Sequence, residues 1–194
     1  KCVDAVEAAV RLPFEEGTRI ERAMFLELVA SDQSKALRHA FFAERAAARI
    51  AGLPEGTPTR RIERAAVVGF GTMGGGIAMS FANAGIPVIV LESSLEALER
   101  GMALCRRNWE ATAAKGRMTA QQVESRLALI RWTLRYEDLA SADIVIEAVF
   151  EDLAVKQKVF RELDRVAKPG AILATNTSTL DVNRIAAATR RPAD

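Results

Sequence analysis

Three short clusters hold the residues able to do chemistry. VVGFGTMGGGIA, from Val67 to Ala78, has five glycines between Gly69 and Gly76, and its core, GFGTMG, is G-x-G-x-x-G. So many glycines cost conformational entropy, so something must need that bare backbone. The second cluster is EAVFED, Glu147 to Asp152, with Lys156 five residues after Glu151. The third is TNTST, Thr175 to Thr179, which offers small hydrogen-bonding side chains at Asn176, Thr177 and Ser178.

The glycines suit a dinucleotide. Gly69 permits a tight turn, Gly71 lets a pyrophosphate approach the main chain, and Gly74 allows close helix–strand packing. Free N–H groups of the helix that follows would face the phosphates, aided by the helix dipole. An acid is expected at the end of the next strand, and Glu92 stands there. Its carboxylate can accept both adenosine ribose hydroxyls and would repel a 2′-phosphate. Ser93 and Ser94 beside it supply no Arg for that phosphate, so NAD is favoured over NADP. Gly76 is expected on the helix face toward the sheet, with Gly75 serving packing only.

The other clusters leave alternatives open. Lys156 in the first turn of a helix opposes the dipole, which argues against a simple cap. It is either a ligand contact or a solvated lysine paired with Glu151 or Asp152. Asn176, Thr177 and Ser178 are either site groups at a strand exit or ordinary turn and N-cap residues.

The elements that would position these groups alternate. AAVVG (65–69), PVIVLE (87–92), ALIRWT (128–133), ADIVIEAVF (142–150) and AILATNTS (171–178) read as strands. Their continuous apolar runs suit a parallel sheet covered on both faces. Helices are expected over 73–84, from a Ser93–Glu96 capping box to about Lys115, after the Thr119–Gln122 box, over 154–167, and briefly up to about Thr189. The expectation is an α/β, doubly wound, mostly parallel Rossmann sheet over 63–194. A helical segment precedes it over 1–51, with helical spacing in 3–11 and 18–50, LPFEEG as a connection and a third helix from Ser31. GLPEGTPTRR, with two Gly and two Pro in ten residues, marks a linker at 52–62.

Composition narrows the function. Of 194 residues 49% are hydrophobic and 27% charged, which excludes disorder, and a net charge of +2 without a basic block gives no support for nucleic-acid binding. No apolar run approaches the length of a membrane span. Cys2 and Cys105 lack metal or redox spacing and read as reduced structural thiols, and the single His39 lies far in sequence from all three clusters.

GFGTMGGGIA, IEAVFEDLAVKQKVF and ATNTSTLDVNRIA stand in order, and Val67–Asp194 resembles the NAD-binding domain of the L-3-hydroxyacyl-CoA dehydrogenases. The first sixty residues, most tellingly SKALRHAFFAER, resemble the end of the enoyl-CoA hydratase half and the linker helix of multifunctional fatty-acid oxidation enzymes. The likeness is to the peroxisomal-type bifunctional enzymes and their bacterial relatives. It implies that Gly69, Gly71, Thr72, Met73 and Gly74 line the cofactor turn and that Glu92 holds its ribose. It also implies that Ala148, Val149 and Glu151 lie along the nicotinamide half, that Lys156 is a cofactor contact, and that Asn176 opens the last motif. Ser178 would bond both the nicotinamide side and the substrate hydroxyl, as a catalytic-site group.

Several expectations follow for the parent protein: NAD as cofactor, an acyl-CoA substrate, and a cytoplasmic address or, in a eukaryote, a peroxisomal one. The family's His–Glu pair would fall beyond Asp194, so the 194 residues alone are expected to be inactive. The helices of 1–51 could support a homo-oligomer. The alternatives are another hydroxy-acid dehydrogenase or a non-catalytic dinucleotide-binding module.

Overall fold

The computed structural model describes residues 1–50, 52–54 and 56–194. Ala51, the last residue of the expected helical segment, and Glu55, within the expected linker, lie outside the described residues. The chain forms two compact units, Lys1–Thr59 and Arg60–Asp194.

The first unit holds α1 (Cys2–Arg11), α2 (Phe14–Ala30) and α3 (Asp32–Ala47). Helices α1 and α2 meet closely at Gly17, where an added Cβ would lie 3.5 Å from the Ala8 carbonyl oxygen. The connection before α2 is shorter than LPFEEG suggests, because the helix already begins at Phe14. Pro13 stands at its N-cap, where its missing N–H costs nothing, and Glu15 and Glu16 in the first turn favour the positive end of the dipole. Ser31 caps α3 by accepting from the Ser34 N–H at 3.2 Å.

The second unit is a five-stranded, wholly parallel sheet. Its strands are β1 (Ala65–Val68), β2 (Val88–Leu91), β3 (Ile130–Thr133), β4 (Ile144–Glu147) and β5 (Ile172–Thr175), in the spatial order β3-β2-β1-β4-β5. Helices α4 (Thr72–Asn83), α5 (Leu95–Ala114), α6 (Ala120–Leu127), α7 (Leu153–Val166) and α8 (Val182–Ala186) connect and cover it. Central strand β1 is buried along its whole length because its two faces serve two cores. Ala65 and Val67 pack with Leu98, Cys105 and Trp109 on one face. Ala66 and Val68 pack with Val145, Val159 and Leu163 on the other. This is why the strand reads as a continuous apolar run rather than an alternation.

In the second unit one expected helix cap is displaced by a residue. Helix α6 opens with the full Thr119–Gln122 capping box. Helix α5, however, is capped by Ser94, whose hydroxyl accepts from the Ala97 N–H at 3.3 Å; Ser93 lies one residue outside. Ser93 is taken up instead by Glu92, which accepts both its N–H and its hydroxyl. Strand order reverses between β1 and β4, so their carboxyl ends border a crevice where ligands bind in folds of this kind.

Candidate functional site

On one side of the crevice the site is made by removing side chains. Gly69 follows β1 with φ +95°, and a Cβ there would lie 2.7 Å from the Ala148 carbonyl oxygen, beyond β4. The glycine turn thus touches the main chain of the neighbouring strand exit. A Cβ on Gly74 would lie 1.9 Å from the Gly69 carbonyl oxygen, so helix α4 seats directly on the turn. Gly71 differs: an added Cβ would meet nothing within 4 Å. No protein contact requires a glycine at that position, and the main chain there is open to an approaching group.

Gly71 is the N-cap of α4, and no side chain caps the helix; Gly75 N–H, bonded to the Gly71 carbonyl at 2.8 Å, closes its first turn. The amides before it have no partner within the helix, as at any helix start, and can meet an anion. Gly75 is buried against Cys105 and Phe70, in keeping with a packing role, whereas Gly76, expected on the face toward the sheet, is exposed and faces open space. The reason is helical rotation: one residue turns the direction by about 100°.

Glu92 emerges from β2 toward this turn. Its Oε1 accepts from the Phe70 N–H at 2.8 Å and its Oε2 from the Ser93 N–H at 2.8 Å. A residue that sequence reasoning missed supports this arrangement. Gly101 on α5 leaves room for the buried Phe70 ring, which would lie 2.2 Å from a Cβ at that position. Phe70 is thereby held, and with it the amide that orients Glu92. The sequence offered no signal for Gly101, which looks like an ordinary helix glycine.

Gly69, Gly71, Glu92, Ala148 and Val149 come together around a crevice of about 640 Å³. Leu134, Tyr136, Val155, Lys158 and Glu162 also line it and were given no role from the sequence. Burial and, secondarily, the Glu162 charge push the Tyr136 phenol above its usual range. An apolar floor with a fixed carboxylate at one end and bare amides at the other fits an adenosine diphosphate group. Thr72 and Met73, in the first turn of α4, are both exposed, Met73 with 57% of its surface accessible.

On the other side the site is made by filling space. Glu147, at the end of β4, is fully buried. Its Oε1 accepts from the Val149 N–H and from Lys156 Nζ, both at 2.7 Å. Its Oε2 accepts from the Thr175 hydroxyl at 2.6 Å. Lys156 is 1% exposed and reaches Glu151 as well, at 3.1 Å. So Lys156 is not the solvated surface lysine of the simpler alternative, and two carboxylates offset its unfavourable place in the first turn of α7.

Glu151 then holds the last motif, accepting from the Thr177 hydroxyl and from the Ser178 N–H at 3.1 Å. The Thr177 hydroxyl first, then Lys156 and the Ser178 amide, hold its carboxyl down at about 2. Ser178 is exposed and Asn176 half-buried, its N–H bonded to the Glu147 carbonyl at 2.8 Å. Glu147 was missed as a site residue, although an acid inside the apolar stretch IVIEAVF was a visible signal. Cys105, raised to about 11 by burial, is an inert packed thiol. No helix among the described residues is long and apolar enough to cross a membrane.

A parallel sheet in this order, a glycine turn at its switch point and an acid at the end of β2 define a dinucleotide-binding domain. Residues 64–194 match the model of the family described as 3-hydroxyacyl-CoA dehydrogenase, NAD binding domain. The chain belongs to that family. Among curated proteins it is 46% identical over 196 residues to the peroxisomal bifunctional enzyme of Cavia porcellus, covering 98% of this chain and 27% of that protein. The human peroxisomal bifunctional enzyme is 42% identical with the same coverage. The chain therefore spans about a quarter of the length of these relatives. Among solved structures, FadB2 of M. tuberculosis superposes with a TM-score of 0.67 at 40% identity, over 69% of this chain and 47% of that one. The 3-hydroxybutyryl-CoA dehydrogenase of Escherichia coli superposes with a TM-score of 0.67 at 36% identity, over 69% of this chain and 28% of that one.

Proposed function

We propose that this chain is the cofactor-holding part of an enzyme that oxidises L-3-hydroxyacyl-CoA to 3-ketoacyl-CoA, in fatty-acid oxidation and, where the parent is eukaryotic, in a peroxisome. The carrying observation is Gly71, a glycine the fold does not require, open toward a crevice that ends in an oriented carboxylate. Bare amides of the first α4 turn, at Thr72 and Met73, take the pyrophosphate. Glu92 takes the adenosine ribose and turns away a 2′-phosphate by charge repulsion. Bound NAD would supply the hydride acceptor for the carbon that carries the substrate hydroxyl.

The second cluster does the orienting. Ala148 and Val149 present main chain beside the glycine turn, and Glu151 fixes the Thr177–Ser178 turn from below. Ser178, exposed at that turn, offers a hydroxyl to the nicotinamide side and to the substrate oxygen. The proton leaving the 3-hydroxyl requires a base, a role that no residue of these clusters takes and that falls to the parent enzyme.

Titration calorimetry of the 194-residue chain tests the cofactor assignment. NAD binding is expected to exceed NADP binding, and Glu92→Ala to weaken NAD about tenfold, the equivalent of one hydrogen bond to a charged group. Equal affinity for the two dinucleotides in the unsubstituted chain would overturn it.

A further inference from the structure

We propose that Glu147 is a positioning residue of the dinucleotide site, acting from inside the protein on the Ser178 turn through Lys156 and Glu151. The inference deepens the dinucleotide reading and rests on it.

Glu147 lies where four pieces of main chain converge. It is the last residue of β4, and its side chain binds the turn after β4 through Val149, helix α7 through Lys156 and strand β5 through Thr175. Its own carbonyl accepts from Asn176. All three of its side-chain bonds are 2.7 Å or shorter, at a residue with no solvent exposure. The chain of contacts then runs outward. Lys156 Nζ, fixed by Glu147, meets Glu151 at 3.1 Å, and Glu151 carries the Thr177 hydroxyl and the Ser178 amide. Glu151 is the first member with solvent access, its side chain 38% exposed.

Stability alone gives a weak reason for this arrangement. A buried ion pair gains little over two well-packed apolar side chains of similar volume, because both charges lose their hydration. What the pair provides and apolar packing cannot is direction. A carboxylate with three donors at fixed angles permits one orientation of the lysine, and that lysine permits one orientation of Glu151. Val149 lines the crevice and is held by the same carboxylate. One interior group therefore sets both the strand exit beside the glycine turn and the turn that bears Ser178.

The test compares Glu147→Gln with Val145→Ala in the 194-residue chain. Val145 is equally buried on the same strand but takes no part in the network. Without any ligand, amide hydrogen exchange is expected to speed up about tenfold at Val149 and Ser178 in Glu147→Gln, and at neither in Val145→Ala. With NAD, Glu147→Gln is expected to bind about tenfold more weakly, while Val145→Ala loses thermal stability and keeps its affinity. Unchanged exchange at Ser178 in Glu147→Gln would overturn the proposal, as would an equal loss of affinity in Val145→Ala. If the unsubstituted chain fails to bind NAD, the dinucleotide reading falls, and the ligand-free exchange still decides whether Glu147 holds the turn.

Discussion

The two sides of the crevice are built by opposite means. Around β1, α4 and β2 the site consists of what is missing: Gly69 and Gly74 let main chains touch, and Gly71 leaves space open. Around β4, α7 and β5 it consists of what is packed in: Glu147 and Lys156, both almost without solvent contact, and Glu151 above them. The first side makes a surface for an anion from backbone amides. The second makes a rigid base for a polar turn from buried charge. A dinucleotide needs both, since its diphosphate is held by close approach and its reacting ring by orientation.

The largest test of this contrast lies on the packed side. Lys156→Met should destabilise the chain by about 4 kcal/mol in urea unfolding, because Glu147 would keep its charge in the interior without a cation. A loss below about 1 kcal/mol would mean that Glu147 readily finds another partner or a proton. Next come the glycines, which should separate cleanly. Gly74→Ala should cost about 3 kcal/mol, since its Cβ would press on the Gly69 carbonyl. Gly71→Ala should leave stability within about 0.5 kcal/mol yet weaken NAD binding, because only the ligand needs that space. If Gly71→Ala binds NAD normally, the open side is not where the diphosphate lies.

The smallest effect is a pH dependence. Glu151, ordinarily near 4.5, and Asp143, ordinarily near 3.8, are both held at about 2 in the folded chain. For Asp143 the Lys168 ammonium acts first, followed by the Arg64 and Glu63 amides. Carboxyls depressed by folding stabilise it above their ordinary range, and that contribution fades as pH falls through about 2. Urea midpoints should therefore drop between about pH 5 and about pH 2. In Glu151→Gln the drop should be shallower; an unchanged slope would remove Glu151 from the ionised network.

Legibility in the sequence followed the same division. Glycine spacing after an apolar run, with Glu92 at the next strand's end, exposed the open side because absence of side chains is a local property. The packed side was legible only in part. Glu151 and Lys156 could be suspected from their spacing. Glu147, although it opens the second cluster, was given no role, because Lys156 and Thr175 stand nine and 28 residues away and meet it only when α7 and β5 pack beside β4. Local details failed for a related reason. Ser93 and Ser94 are chemically equal candidates for a cap, and the Glu92 carboxylate decided between them. Gly75 and Gly76 differ only in the direction they face on α4, which is set by how that helix rests on α5 and Phe70.

By itself, the sequence determined the alternation of strands and helices, the parallel sheet and the glycine turn after its first strand. Each of these follows from periodicity or from a residue's own conformational range. Only the tertiary structure decided that Lys156 is interior, that Glu147 commands it, and that Gly101 leaves the space Phe70 occupies. Those facts depend on side chains distant in sequence sharing one small, water-free volume, where a charge must find its partner or not form at all.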